Sequence, residues 1–169
     1  CRIKPGTDVA FYNAMMHVII EEGLVDESFV TDRTENFEAL KEVVSKYSPE
    51  RASKICGVEA EAIREVARVF GKAKNAIVFW GMGVSQHVYG TNNARCLISL
   101  ALLTGNVGKP GAGLHPLRGQ NNVQGASDAG LIPMVYPDYQ PVGDPEVRAK
   151  FEAAWGRELS PDPGLTVVE

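Results

Sequence analysis

Hydrophobic positions recur at helical spacing through the first 72 residues of the chain. After the turn dipeptide Pro5-Gly6, apolar residues at positions 9, 12, 16, 19 and 20 share one face. This pattern predicts a helix that begins at Thr7 or Asp8 and ends at Gly23. The same reasoning predicts helical segments over 26–31, 35–47, 48–57 and 59–72. Residues 2–4 are predicted to be the end of a strand.

The segment 76–80 is continuously apolar and reads AIVFW. It predicts a strand that is buried on both faces, as in a parallel sheet. Gly81-Met82-Gly83 and a polar turn follow, and a helix is predicted over about 92–103. A strand, a glycine turn and a helix in this order can place backbone N–H groups under a phosphate. The usual dinucleotide fingerprint is incomplete, because its third glycine position holds Gln86.

The segment 105–130 is rich in glycine and follows neither helical nor strand periodicity. We therefore predict a long loop, in which glycine allows the backbone to approach a ligand closely. Hydrogen-bond donors are concentrated in one part of it: Arg118, Gln120, Asn121, Asn122 and Gln124. This composition predicts a site for a polar, anionic group. A plain linker is disfavoured, because linkers rarely contain amide clusters.

Beyond this loop the sequence alternates between irregular and helical patterns. Residues 133–141 are rich in proline and tyrosine and are predicted to be extended over another surface. A short helix is predicted over 144–155, a loop over 160–163, and the start of a further element at 165–168. One or two strands do not form a stable sheet alone, which favours a piece of a larger domain.

Composition narrows the class of protein further. The chain has 169 residues, 44% hydrophobic and 22% charged, with a formal net charge of −4 and no basic run. This charge does not favour a nucleic-acid partner. The three cysteines, Cys1, Cys56 and Cys96, form no C-x-x-C motif, so no metal site is predicted within the chain, and their pattern suits a reducing, cytoplasmic location. No apolar run is long enough for a membrane span, and the absence of an initiator Met suggests an internal segment.

Three stretches together resemble the catalytic subunit of molybdenum- or tungsten-dependent formate dehydrogenases, within the wider molybdopterin oxidoreductases. They read WGMGVSQ at 80–86, LLTGNVGKP at 102–110 and PLRGQNNVQGASD at 116–128. The resemblance extends over about residues 3–155. The pattern T-G-N-x-G-K-P is shared by several branches of the superfamily, whereas RGQNNVQGA is more characteristic of formate dehydrogenases. We therefore predict an α/β fold: a helix-rich, Rossmann-like three-layer domain with part of a parallel sheet and a long glycine-rich active-site loop.

The resemblance implies roles for particular residues. Arg118 would bind the formate carboxylate and Gln120 would be a neighbouring donor in the pocket. A guanidinium fork matches a carboxylate, which agrees with this role for Arg118. The remaining predicted contacts are to the cofactor: Gly81, Met82, Gly83, Gln86, Gly119, Asn121 and Asn122. His115 is interpreted as an ordinary loop histidine.

The resemblance also implies the cofactor and the partners. The cofactor would be bis-molybdopterin guanine dinucleotide with molybdenum or tungsten, and the reaction the reversible oxidation of formate to carbon dioxide. The family's metal-ligating cysteine or selenocysteine and its [4Fe-4S] cysteines lie upstream of the matching region, and a dinucleotide-binding domain lies downstream. Residues 1–169 would be one internal segment of the catalytic domain. Its partners would be the rest of the catalytic subunit and electron-transfer subunits.

Two other functions remain open from the sequence. A related oxidoreductase acting on nitrate or another oxyanion would keep the glycine turn and T-G-N-x-G-K-P, but it need not keep R-G-Q-N-N-V-Q-G. A non-catalytic nucleotide-binding or assembly module is the alternative from a different class.

Overall fold

The computed structural model of the chain describes residues 1–166. The chain divides into two compact units, one over residues 1–117 and one that begins at Arg118. In the described residues, no helix is long and apolar enough to cross a membrane.

The first unit is mainly helical, and its helices follow the predicted hydrophobic periods. They are α1 Asp8–Glu21, α2 Glu27–Arg33, α3 Phe37–Val44, α4 Pro49–Cys56 and α5 Ala60–Lys72, followed later by α6 Met82–Ser85 and α7 Gly90–Leu103. Local signals set several ends. The Ser48 side chain accepts a hydrogen bond from the Arg51 N–H at the start of α4, and Gly57 ends that helix with φ of +78°.

The core of the first unit lies around α1, which packs against α4, α5 and α7. Its most buried side chains include Met16 and Ile19 of α1, Ile63 of α5 and Leu100 of α7. The predicted inward face of α5, centred on Ile63 and Ala67, is confirmed by their complete burial. The predicted strand at 2–4 is wrong: these residues are irregular, and the Lys4 N–H donates to the carbonyl of Cys56.

A two-stranded parallel sheet completes the first unit. Strand β1, Ile77–Trp80, pairs with strand β2, Gly113–Pro116, in a register that aligns Ile77 with Gly113 and Trp80 with Pro116. The prediction of burial on both faces is wrong for this chain. Val78 and Trp80 pack against the helical core, whereas Ile77 and Phe79 are 46% and 59% exposed. Side chains alternate along a strand, so a helical layer on one face covers only every second residue.

The glycine-rich segment 105–130 is not a single loop, which corrects that prediction. It contains β2 and helix α8, Val123–Asp128. Strand β2 forms through backbone pairing: the Gly113 N–H donates to the Ala76 carbonyl and the Leu117 N–H to the Trp80 carbonyl. A hydrophobic pattern does not reveal pairing of this kind. The three-layer, Rossmann-like arrangement remains a prediction, because the described part of the first unit has only two strands.

The second unit contains a short antiparallel pair and a helix. Strands β3 Val135–Tyr136 and β4 Gln140–Pro141 flank a 3-10 turn, Pro137–Tyr139, so residues 133–141 fold back instead of staying extended as predicted. Helix α9, Pro145–Trp155, follows and confirms the predicted helix. The aromatic rings of Tyr136, Phe151 and Trp155 pack together with centroids 4.7–6.0 Å apart.

Half of the predicted element at 165–168 lies within the described residues. Leu165 and Thr166 have no regular structure, and residues 167 and 168 lie outside the described residues.

Candidate functional site

The first candidate region is the turn between β1 and α7. Gly81 continues the strand with an extended backbone, φ −133°, and the chain then enters the one-turn helix α6. The Gly81 carbonyl accepts hydrogen bonds from the N–H groups of Val84 and Ser85, at 3.1 and 3.3 Å. Met82 and Gly83 therefore lie in the first turn of α6, where a helix leaves backbone donors without intrahelical acceptors.

The predicted cofactor-contact residues Gly81, Met82, Gly83 and Gln86 are brought together in this turn. The Met82 side chain is 43% exposed, and its sulfur accepts a hydrogen bond from Gln86 Nε2 at 3.3 Å. A Cβ on Gly83 would meet nothing within 4 Å, so the space above this residue is open. Neither Gly81 nor Gly83 has a positive φ, which means that access, not backbone strain, is what glycine provides at these positions.

Two residues that sequence analysis did not single out fix this turn in place. A Cβ on Gly90 would lie only 1.8 Å from the Ser85 carbonyl oxygen, so only glycine allows α7 to start against α6. Asn93 is buried, and its Nδ2 donates to the Val84 carbonyl at 2.9 Å. The only signal in the sequence was the position of Gly90 and Asn93 near the start of a predicted helix.

His87 also touches this turn. Its Nε2 lies 2.8 Å from the Gly83 carbonyl oxygen. His115, on β2, stacks on Phe79 with ring centroids 5.3 Å apart. This contact gives His115 a packing role within the sheet.

The T-G-N part of the T-G-N-x-G-K-P stretch is structural. Asn106 is completely buried; its Oδ1 accepts from the Ala76 N–H at 2.9 Å and its Nδ2 donates to Thr104 Oγ1 at 2.8 Å. Gly105 has a φ of +60°, and a Cβ there would clash with the Asp26 carboxylate. The Asn106 side chain therefore links the residue just before β1 to the segment that follows α7. This hydrogen bond helps to fix the position of β1 and of the turn after it.

The second candidate region begins at Arg118 and belongs to the second unit. Arg118, Gly119, Gln120, Asn121 and Asn122 are consecutive and all exposed. Asn122 adopts the left-handed conformation, φ +51°, at the start of α8. The five residues thus form one polar segment, and the α6 residues form another in the first unit.

Arg118 takes part in a hydrogen-bond network that includes residues outside the predicted set. Its Nη2 donates to Gln124 Oε1 at 2.5 Å. Gln124 Nε2 in turn donates to Asp128 Oδ1 at 3.1 Å and to the Tyr139 hydroxyl at 3.4 Å. The Asp128 carboxylate raises the pKa of Tyr139, chiefly through a hydrogen bond to its hydroxyl, and the Tyr139 hydroxyl therefore remains protonated at neutral pH.

Arg118 carries a positive charge that no carboxylate among residues 118–166 matches. Among residues 118–166, the ion pairs within 4.0 Å include Arg148 with Glu152 but none at Arg118. A guanidinium has five N–H donors, and the bond to Gln124 uses one of them. An exposed cation with free donors is suited to binding an anion with planar, paired oxygens. Within the described residues, no three His, Cys, Asp or Glu side chains converge to hold a metal.

Comparison with known proteins identifies the family. A family model for molybdopterin oxidoreductases matches residues 1–164. The chain belongs to the molybdopterin oxidoreductase family. Membership of this family implies a molybdopterin cofactor.

Formate dehydrogenases are prominent among the relatives in this family. The chain is 51% identical over 168 residues to the F420-dependent formate dehydrogenase subunit alpha of Methanocaldococcus jannaschii, covering 99% of the chain and 25% of that protein. It is 54% identical over 159 residues to formate dehydrogenase H of Escherichia coli, covering 94% and 22%. The chain thus spans about a quarter of the length of these relatives.

Proteins with other names also match. A nitrate reductase of Synechocystis is 36% identical over 171 residues, covering 99% of the chain and 24% of that protein. Among solved structures, acetylene hydratase from Pelobacter acetylenicus aligns with a TM-score of 0.62 and 29% identity, over 64% of this chain and 15% of that one. The fold therefore resembles that of acetylene hydratase. Because the matching proteins carry the names of different enzymes, the matches alone do not identify a substrate.

Proposed function

We propose that this chain is part of the catalytic subunit of a formate dehydrogenase, which interconverts formate and carbon dioxide. The observation that carries the proposal is the state of Arg118. Its guanidinium is exposed, is held by a neutral side chain and has no carboxylate partner among residues 118–166. Formate is a small carboxylate, and a guanidinium fork can bind both of its oxygens.

Arg118 acts in this proposal by binding and orienting the substrate. The paired N–H groups hold the two formate oxygens, so that the C–H bond points away from the arginine. Gln120, two residues further on and exposed, supplies a second polar contact in the same pocket. Orientation of a bound reactant can supply several kcal/mol of the rate acceleration.

The residues present fit a pterin dinucleotide as the cofactor. The open space at Gly83, the exposed Met82 and the N–H groups of the first turn of α6 can meet a flat, phosphate-bearing molecule. In the second unit, Gly119, Asn121 and Asn122 add exposed donors and acceptors. We assign these residues to bis-molybdopterin guanine dinucleotide carrying molybdenum or tungsten. The bound cofactor supplies the two-electron redox chemistry, and the protein supplies binding and orientation.

Other parts of the proposed enzyme lie beyond these residues. We propose that residues 1–169 are one segment of the catalytic domain, and that the metal-ligating residue, a [4Fe-4S] cluster and a further dinucleotide-binding domain belong to the rest of the subunit. Electron-transfer subunits and a cytoplasmic location complete the proposal.

A second candidate function is nitrate reduction. The match to a nitrate reductase favours it, and nitrate is also planar and can occupy a guanidinium fork. We rank it second because the identity to formate dehydrogenases is higher, 51% and 54% against 36%.

The test uses the full-length parent protein. Molybdenum, tungsten and pterin contents are measured, and the protein is then assayed for formate-dependent reduction of a viologen dye and for nitrate-dependent oxidation of the reduced dye. Formate-dependent activity in proportion to metal content is expected. A metal-loaded protein that turns over nitrate but not formate would establish the second candidate, and a protein that binds no pterin would overturn both.

A further inference from the structure

The Gln124 side chain is hydrogen-bonded to Arg118 on one side and to Asp128 and Tyr139 on the other. Its Oε1 accepts from Arg118, while its Nε2 donates to Asp128 Oδ1 and to the Tyr139 hydroxyl. An ionised carboxylate only accepts hydrogen bonds, so the nitrogen of the amide must face Asp128. The oxygen of the amide is then directed at the guanidinium.

The backbone places these groups together. Gln124 lies in the first turn of α8 and Asp128 lies four residues later, which puts both side chains on the same face of the helix. Tyr139 comes from the 3-10 turn that contacts α8, and both Asp138 and Tyr139 have positive φ, +62° and +54°. Positive φ is uncommon for a tyrosine, so the surrounding structure holds this ring where it is.

Residue 124 is a neutral amide, and this affects the charge that Arg118 presents. A glutamine accepts a hydrogen bond from Arg118 without neutralising it, whereas a glutamate would form an ion pair and compete with any incoming anion. Asp128 is the one carboxylate within α8, and it accepts a hydrogen bond from the amide instead of from the arginine.

We propose that Gln124 is a positioning residue, which orients the Arg118 guanidinium for substrate binding while leaving its positive charge available. This inference rests on the proposed function, in which Arg118 binds the formate carboxylate. Asp128 and Tyr139 hold the Gln124 amide in this orientation through their hydrogen bonds to its Nε2.

The experiment compares two glutamate substitutions in the full-length enzyme. Gln124→Glu places a carboxylate against Arg118. Ala153→Glu is the control, because Ala153 is exposed on α9 of the same unit, so the same charge is added outside the network. Gln124→Met, which removes the acceptor without adding charge, is a second variant that preserves the size of the side chain.

We expect Gln124→Glu to raise KM for formate about tenfold or more, because like charges meet at the binding site. Gln124→Met should raise KM about two- to tenfold, the usual effect of one lost hydrogen bond. In both variants KM changes more than kcat per bound metal, and Ala153→Glu leaves both within about twofold of the parent, as expected for an exposed substitution outside the network. Calorimetric titration of the dithionite-reduced enzyme with formate should give matching losses of affinity without turnover.

Each other outcome decides against the inference. If Gln124→Glu and Gln124→Met both behave like Ala153→Glu in an enzyme that oxidises formate, Gln124 does not position Arg118. If they lower metal content but leave KM per loaded enzyme unchanged, the network only stabilises the fold. If the unsubstituted enzyme fails to oxidise formate, the proposed function itself is wrong. The activity of the unsubstituted enzyme is therefore measured before that of any variant.

Discussion

At the scale of single residues, Arg118 carries the proposed substrate specificity. Arg118→Lys in the full-length enzyme keeps the positive charge but loses the paired N–H fork. A hydrogen bond to a charged group contributes about 1.5–3 kcal/mol. We therefore expect kcat/KM for formate to fall about ten- to a hundredfold, since each 1.36 kcal/mol is tenfold. Formate kinetics normalised to molybdenum or tungsten content measure this change.

Arg157→Lys is the control for this substitution, because Arg157 is also an exposed arginine of the second unit. Its kinetics should match those of the parent. A loss of cofactor in Arg118→Lys with unchanged turnover per metal would instead make Arg118 a residue that orders its segment. The bond to the Gln124 side chain is the contact through which such ordering would act.

A second prediction at this scale concerns the cysteines. Burial raises the pKa of the Cys96 thiol to about 11, whereas Cys1 is exposed. The thiolate is the reactive form, so in the folded 169-residue chain iodoacetamide at pH 8 should modify Cys1 at least about tenfold faster than Cys96. Because the pKa is raised, the rate at Cys96 should keep increasing with pH up to about 11. Peptide mass spectrometry reports both rates, and equal rates would contradict the burial of Cys96.

At this scale the sequence predicts roles for Arg118 and the amides after it from the chemistry of their side chains, and these roles stay predictions. It does not indicate the hydrogen bonds of Gln124 with Asp128 and Tyr139, although Asp128 lies within the stretch that resembles formate dehydrogenases. A contact between α8 and a turn eleven residues after Asp128 depends on backbone angles that no periodicity encodes.

At the scale of helices and strands, the predictions were correct where capping residues and the hydrophobic period indicated the same helix. Helix α4 was predicted from Ser48-Pro49 and Gly57, and all three act as expected. Strand β2 was missed, because it forms through backbone pairing with β1, which a hydrophobic pattern does not reveal. The burial of β1 was overestimated, because an apolar run does not reveal how many layers the described chain supplies.

The junction of α6 and α7 gives a prediction about stability. Gly90→Ala puts a methyl group 1.8 Å from the Ser85 carbonyl oxygen, so the two helices must separate. We expect a loss of about 1–3 kcal/mol, as for other overpacking substitutions, together with lower cofactor content. Thermal unfolding of the parent protein and hydrogen exchange over residues 81–93 measure the effect. Gly6→Ala is not a suitable control because its φ is +79°; Gly143→Ala, with open space and no positive φ, is suitable.

The same turn gives the opposite prediction at Gly83. No atom lies within 4 Å of a Cβ on this residue, and valine is a better helix former than glycine, so Gly83→Val should not lower the free energy of unfolding. If the cofactor lies against this turn, the branched side chain should nevertheless lower pterin and metal occupancy. Gly143→Val provides the comparison. Normal occupancy in Gly83→Val would mean that the cofactor does not approach α6.

At the scale of the whole molecule, the first unit depends on contacts between distant parts of the chain. Strand β1 starts where the Ala76 N–H meets Asn106, thirty residues later. The hydrophobic pattern predicted β1 and α7 separately but not the polar group that joins them. In the sequence, Asn106 is marked only by its place in the T-G-N-x-G-K-P stretch. In the structure it is completely buried, and its side chain bonds to the Ala76 N–H and to Thr104.

The last prediction tests this link. Asn106→Ala leaves the Ala76 N–H without its acceptor, and an unsatisfied buried group costs about 1–3 kcal/mol. Hydrogen exchange over residues 73–80 of the parent protein should accelerate accordingly, while the exposed Asn92→Ala should change it little. Thr104→Val should cost less in the Asn106→Ala background than alone, because the bond between the two side chains is already gone. Neighbours in one network usually couple by about 0.5–3 kcal/mol. Strict additivity would mean that Thr104 and Asn106 hold β1 independently of each other.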